Sequence, residues 1–393
     1  MKKSLFAIAA ATAFASAAQA QSSVSVYGIY DGGFSHTKTD ETSASNVKIG
    51  AQGGGFTGGE SASSRIGFRG TEDLGKGLTA NFNLELGFTA GTGEVTTATS
   101  SNTTNTTGAT QGSDTGIRTA IVGLGSKEFG TIQIGRQLTG IHSIVAGDVW
   151  GGNNMAGDMT YSDIKATSYG AANTVSGRVS SVATRSSNML TYVTPTILGG
   201  LTLRGDVGNT TSTALNTNNY VSSPGIQFSV KGAYATYNYG AFTVKAGTVS
   251  VASNEAITIG AGFAGTRTTI NAANAMYRAK GLTVQYTFAT NKTENAVTSA
   301  YTSGVRAQKL SASYQMGAVM PFVQYGVGNT QGARAASAAN TSTEDSAVQV
   351  GVEYSLSKRT NLYAAYGKSD RKIVNSSAKT EVTDTAVGIR HTF

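Results

Sequence analysis

A strict two-residue alternation in SSRIGFRGTEDLGKGLTANFNLELGF, residues 63–88, limits what this chain can become more than any other stretch. It reads as two strands joined by a tight turn. Ile66 and Phe68 alternate with Arg65, Gly67 and Arg69, and Phe82, Leu84, Leu86 and Phe88 alternate with Asn81, Asn83, Glu85 and Gly87. Neighbouring side chains on a strand point to opposite faces. One face of this hairpin is therefore apolar, and the other carries arginine, asparagine and glutamate. A soluble sandwich also alternates, but it buries its apolar face in a packed core. Here the polar face is too charged for a core, and the same pattern returns up to the last residue. That predicts an all-β barrel with lipid outside and water inside.

Size and composition agree. A chain of 393 residues accommodates one large barrel. Past residue 20 no run approaches eighteen apolar residues, which excludes a helical membrane span. The absence of Cys removes disulfides and zinc–thiolate sites. The first twenty residues, MKKSLFAIAAATAFASAAQA, have the charged, apolar and small-residue zones of a secretory signal, with cleavage expected after Ala20. Losing Lys2 and Lys3 lowers Lys+Arg from 30 to 28 against 22 acids, so the net charge falls from +8 to +6. An excess this small and dispersed is no nucleic-acid footprint.

Along the chain, VSVYGIYDGGF (24–34) alternates, a polar Gly-rich stretch (35–62) follows, and then comes the hairpin. Residues 90–116 have almost nothing to bury and read as a long loop. RTAIVGLG (118–125) and TIQIGRQ (131–137) form the next hairpin, before the longest interruption at about 138–183. Strand-like segments then recur near 185–194, 200–208, 226–236, 241–251, 266–279, 281–290, 306–316, 320–328, 346–356, 361–368 and 383–393. Short links alternate with long loops near 209–225, 252–265, 291–305, 329–345 and 369–382. The total is about sixteen strands, with short periplasmic turns at one end and long extracellular loops at the other. Tyr234, Tyr286, Tyr314, Tyr354 and Tyr366 share the parity of apolar neighbours, which suits girdles at the membrane interfaces.

SRIGFRGTEDLGKGL with NFNLELGF, RTAIVGLGSKEFGTIQIGRQ, SNMLTYVTP and the terminal VGIRHTF occur in an order that resembles the general porins of the Gram-negative outer membrane, nearest to the β-proteobacterial group. The likeness covers the expected mature chain, 21–393. It implies a sixteen-stranded antiparallel barrel, a homotrimer, and a third loop (about 138–183) folded inward to narrow the pore. By motif, Arg65, Arg118 and Arg185 match the family's basic wall at the constriction. Parity agrees, since each falls opposite Ile66, Ile121 and Leu190 respectively. The family's acids lie on the inward loop, where Asp148, Asp158 and Asp163 are the candidates. Terminal Phe393 resembles the aromatic by which the outer-membrane assembly machinery recognises its clients.

Parity further assigns Arg69, Arg204, Lys231, Lys245, Lys309 and Arg390 to the lumen, against Asp31, Glu85, Asp206 and Glu353. Cations outnumber acids, so passive diffusion of small hydrophilic solutes and ions with a modest anion preference is the expected function. Arg136 breaks the pattern by sharing the outward face of Ile132 and Ile134. Facing lipid there would cost about 2–4 kcal/mol. It is expected to face a neighbouring barrel and pair with an acid such as Glu94 or Asp114, or to be turned inward by a bulge. The three histidines, His36, His142 and His391, have no matching nucleophile or ligand set, so neither an enzyme, a metal nor a cofactor is expected. A substrate-specific channel or an adhesin on the same barrel is the alternative.

Overall fold

Among the described residues the alternation is realised as seventeen strand segments closed into one antiparallel sheet. The computed structural model describes residues 23–42, 48–93, 95, 116–146, 149–150, 155–156, 185–212, 226–253, 266–295, 299, 301–332 and 342–393. The expected signal, 1–20, lies outside them. The segments are β1 (Ser23–Thr42), β2 (Lys48–Gly58), β3 (Arg65–Gly75), β4 (Leu78–Gly87), β5 (Ile117–Ser126) and β6 (Gly130–Leu138). A short helix, α1 (Gly140–Val145), follows, and then β7 (Arg185–Val193), β8 (Leu201–Ser212), β9 (Ile226–Tyr239), β10 (Phe242–Ser253) and β11 (Thr266–Ala279). The last six are β12 (Leu282–Asn295), β13 (Tyr301–Tyr314), β14 (Val319–Gly332), β15 (Thr343–Ser355), β16 (Thr360–Ile373) and β17 (Lys379–Thr392).

The barrel has sixteen strands because β2 and β3 are two halves of one. Both pair with β1: Gly32 to Thr42 lie opposite Gly58 to Lys48, and Ser23 to Ile29 lie opposite Thr71 to Arg65. Residues 59–64 leave the wall between them. At the seam, β1 pairs with β17 from Ile29↔Thr392 to Thr42↔Lys379. Phe393 and Gly28 then exchange backbone hydrogen bonds of 3.1 and 3.0 Å, so the sheet closes through the final residue. A closed sheet leaves no unpaired edge in lipid.

Turns at the end that holds the termini are tight. Lys76 and Gly77, and again Lys280 and Gly281, take positive φ (54° and 77°, 50° and 83°), the backbone of two-residue hairpins. At the other end the strands run further than the alternation suggested. The stretch 35–62 is mostly strand, with β1 reaching Thr42 and β2 filling 48–58. Likewise β12 extends to Asn295, β14 to Gly332 and β16 to Ile373. Beyond the apolar band the outward residues become Thr, Lys, Asp and Ser, so the period disappears while the hydrogen-bond ladder continues.

Side chains sort as the alternation requires. Phe68, Phe82, Leu84, Leu310 and Tyr325 are 38, 40, 37, 55 and 55% exposed on the outer wall. The tyrosines Tyr286, Tyr314, Tyr354 and Tyr366 are exposed beside them. Gln285, Thr287, Ser311, Gln324 and Gln349 are buried on the inner wall.

Tyr234 is the exception among the expected girdle residues: it is buried, 7% exposed, and points inward. Its side of β9 carries Val230, and the facing strands add Val249, Val251 and Ile270. This part of the inner wall is apolar because α1 packs on it through Ile141, Ile144 and Val145. Reading apolar as outward therefore inverted β9. Lys231, expected in the lumen, lies on the outer side opposite Val207, which is itself 51% exposed.

Candidate functional site

Glu85 is the hub of the polar inner wall. It stands opposite Gly67 on β3, which stands opposite Tyr27 on β1. A Cβ at Gly67 would collide with the Tyr27 ring. Glycine there lets Tyr27 lean across β3 and donate its hydroxyl to Asn83 (2.8 Å) and Glu85 (3.1 Å). The Glu85 carboxylate also takes Arg118 Nε at 2.8 Å and has Arg65 Nε at 3.8 Å. Arg69, one pleat further along β3, lies 4.9 Å above the Tyr27 ring.

Arg118 reaches this hub by a route that alternation does not describe. Ile121 pairs with Asn83 and shares the lumen side, whereas Val122 and Leu124 are 61% and 53% exposed outside. On parity alone Arg118 would then point outward. The register slips between Glu85↔Thr119 and Leu86↔Ile117, leaving Arg118 as the extra residue of a bulge that turns it onto Glu85.

A second bulge works against Arg185. Gly135 faces Met189 but Gln137 faces Ser186, and Asn188 takes φ +51°. Above that point Ser186 is the fully buried residue on the inner side, and Arg185 stands opposite Leu138. Parity counted from Leu190 does not carry across the slip, and Arg185 has its Nε buried. Arg390, also expected in the lumen, joins the wall. Arg390 donates to both Glu353 oxygens at 3.0 Å and to Ser61 Oγ at 2.7 Å; it stands opposite Asp31 on β1, two residues from Ile29, which stands opposite Arg65.

The inward segment starts immediately after β6. Asp206, 1% exposed, accepts the Gly140 N–H (2.9 Å) and the Thr191 hydroxyl (2.8 Å) and holds Arg204 Nε at 2.8 Å. Arg204 also donates to the Leu138 carbonyl at 2.6 Å. Arg204 thus faces inward as expected and anchors the root of the segment. Lys245 is inward too and donates to the Ser143 carbonyl at 3.0 Å, and Lys309 is inward and 1% exposed.

The far end reaches the opposite wall. Trp150 stacks on Phe322 (ring centroids 4.4 Å, 10°) and meets Tyr363 edge-on at 5.8 Å. Gln349 donates to the Ala156 carbonyl at 2.8 Å. So the described residues of the third loop, 139–146, 149–150 and 155–156, lie inside the barrel and are fastened to both walls. Asp148, Asp158 and Asp163 fall outside the described residues. Helix α1 was legible in principle, since Ile141, Ile144 and Val145 recur at helical spacing.

Arg136 does share the outer side of Ile132 and Ile134, and it is tied within its own chain. Nε donates to the Ile117 carbonyl (2.8 Å) and Nη1 to Ser187 Oγ (3.1 Å), bridging the two bulged strand ends. Glu94 and Asp114 lie outside the described residues.

Comparison with known proteins bears on this arrangement. A family model for Gram-negative porins matches residues 7–373. The chain is 35% identical over 205 residues to an outer membrane porin protein of Bordetella pertussis, covering 51% of this chain and 46% of that one. It is 45% identical over 85 residues to outer membrane porin protein 32 of Delftia acidovorans, 22% of each. The matched stretches therefore span half or less of these curated relatives. Among solved structures, an anion-selective porin from Comamonas acidovorans superposes with a TM-score of 0.66 at 21% identity, covering 95% of this chain and 100% of that one. OmpF of Salmonella typhi, in complex with daunomycin, gives 0.56 at 17% identity over 94% and 97%. At such identities these structures speak for the fold alone. The sequence match, together with an apolar outer wall around an arginine-lined interior, makes this chain a member of the Gram-negative porin family and a β-barrel of the outer membrane.

Proposed function

We propose that the chain forms a water-filled channel for passive diffusion of small hydrophilic solutes and ions, with a modest preference for anions, and that it works as a homotrimer without catalysis. The observation that carries this reading is the set of Arg65 and Arg118 on Glu85 with Arg390 two β1 residues away, on one stretch of inner wall in a barrel whose third loop is fastened to both walls. Arginines and carboxylates across a narrow waterway make a transverse field, which orients dipolar solutes and disfavours apolar ones. No binding step or energy input is needed. Glu85 and Glu353 offset part of the positive charge, which is why the preference is modest. The loop aspartates Asp148, Asp158 and Asp163 are proposed to face this wall.

Arg136 is proposed to lie at the subunit contact, where a neighbouring barrel relieves the cost of a lipid-facing charge. Phe393 is proposed to serve as the signal read by the assembly machinery. Planar-bilayer recording under a salt gradient tests the central reading. A reversal potential of anion-selective sign is expected, and a value at zero or of cation-selective sign overturns the preference.

A further inference from the structure

At residues 59–64 the wall of this barrel turns into the lumen beside Arg390. On β1, only residues 30–31 separate the part paired with β2 from the part paired with β3. Six residues thus stand where two would complete the ladder, and the excess folds inward as a shelf. Glu60, Ser61 and Ser64 are 9, 1 and 2% exposed.

Asp31, itself 0% exposed, holds the shelf at two points, Ala62 and Ser64. Its carboxylate accepts the Ala62 N–H at 2.6 Å. Its backbone N–H, which the missing rung would have paired, donates to Ser64 Oγ at 2.9 Å, and Ser64 Oγ donates back to the Asp31 carbonyl at 3.1 Å. The other carboxylate oxygen takes the Tyr363 hydroxyl at 2.8 Å. Tyr363 is also the residue against which Trp150 of the third loop rests edge-on. One tyrosine therefore touches the loop with its ring and the shelf's anchor with its hydroxyl. Ser61, on the shelf, fixes Arg390.

We propose that the 59–64 shelf is a second constriction element of the channel, and that Asp31 and Tyr363 are positioning residues that hold it in register with the third loop and with Arg390. The inference rests on the channel reading above. The aperture is then bounded by two inward segments clamped to each other through Tyr363, rather than by one loop against a fixed wall. Buried polar groups that are fully bonded fix a single arrangement, and removing one group leaves its buried partner unsatisfied.

The test uses the full-length reconstituted protein, with Tyr363→Phe as the main variant because it removes one hydroxyl and keeps the ring that supports Trp150. Ser64→Ala, which releases the Asp31 backbone instead, is the second variant. Each is expected to raise single-channel conductance and add current noise, with the heat resistance of the assembled protein unchanged. The chain has no Cys, so Ala62→Cys supplies a unique thiol on the shelf. A negatively charged methanethiosulfonate reagent should modify it several-fold faster when Tyr363→Phe is also present. If wild type conducts while both variants match it in conductance, noise and labelling rate, the shelf is inert and the inference fails. If wild type itself does not conduct, the channel reading fails instead.

Discussion

Glu85→Gln isolates the electrostatic part of the mechanism, because it removes one negative charge from between two arginines without changing shape. Arg118 and Arg65 lie 2.8 and 3.8 Å from that carboxylate, so the wall beside it becomes more positive by one unit. An ion passing about 6 Å away in water-like dielectric interacts with the lost charge by about 0.7 kcal/mol, a factor of roughly 3 in local concentration. Anions and cations shift in opposite directions. With a screening length of about 10 Å at 0.1 M, the anion-to-cation permeability ratio should rise roughly fourfold. At 1 M the length is about 3 Å, and the same arithmetic leaves a change below about 1.5-fold. The assay is the reversal potential of the reconstituted protein under a KCl gradient at both ionic strengths. An unchanged ratio at low salt would put Glu85 outside the field that ions feel, and a change as large at high salt as at low would show that the effect is not screened electrostatics; either refutes the reasoning.

Other expectations follow from the same orientation of side chains. Leu84→Arg, on the outer wall, should destabilise the barrel by about 2–4 kcal/mol if it sits at mid-membrane. The same change at lumen-side Asn81 should cost far less, and unfolding from lipid vesicles in urea compares the two. Arg136→Ala should lower the temperature at which the assembled protein dissociates on a native gel, and no change there sinks the subunit-contact proposal. Deleting Phe393 should reduce insertion into the outer membrane while leaving the conductance of inserted molecules as it was; insertion at the wild-type level argues against the assembly signal.

How much of this was legible beforehand depended on what each side chain faced. Where one side met lipid and the other water, as for Leu282, Val284, Tyr286 and Phe288 against Thr283, Gln285 and Thr287, residue type alone gave the orientation. The rule failed where the inner side was not wet. Lys231 and Tyr234 were assigned backwards because α1 covers β9 from within and makes its inner face apolar. It failed again at bulges, which carry no residue signature: one turned Arg118 onto Glu85, and another broke the count from Leu190 to Arg185. Upper β2, GAQGGGFTG, has too few side chains to alternate, so a strand there passed for a loop. The shelf had no motif either, because it is defined by what β1 leaves unpaired.

The third loop's attachment at two distant points has a mechanical consequence. A hoop one strand thick resists bending poorly, since its hydrogen bonds run around the circumference and little spans the diameter. A segment bolted through Ile141 and Ile144 on one side and Trp150 on the other acts as a strut, keeping the cross-section from flattening under lateral membrane pressure. The element that narrows the passage also keeps the tube round.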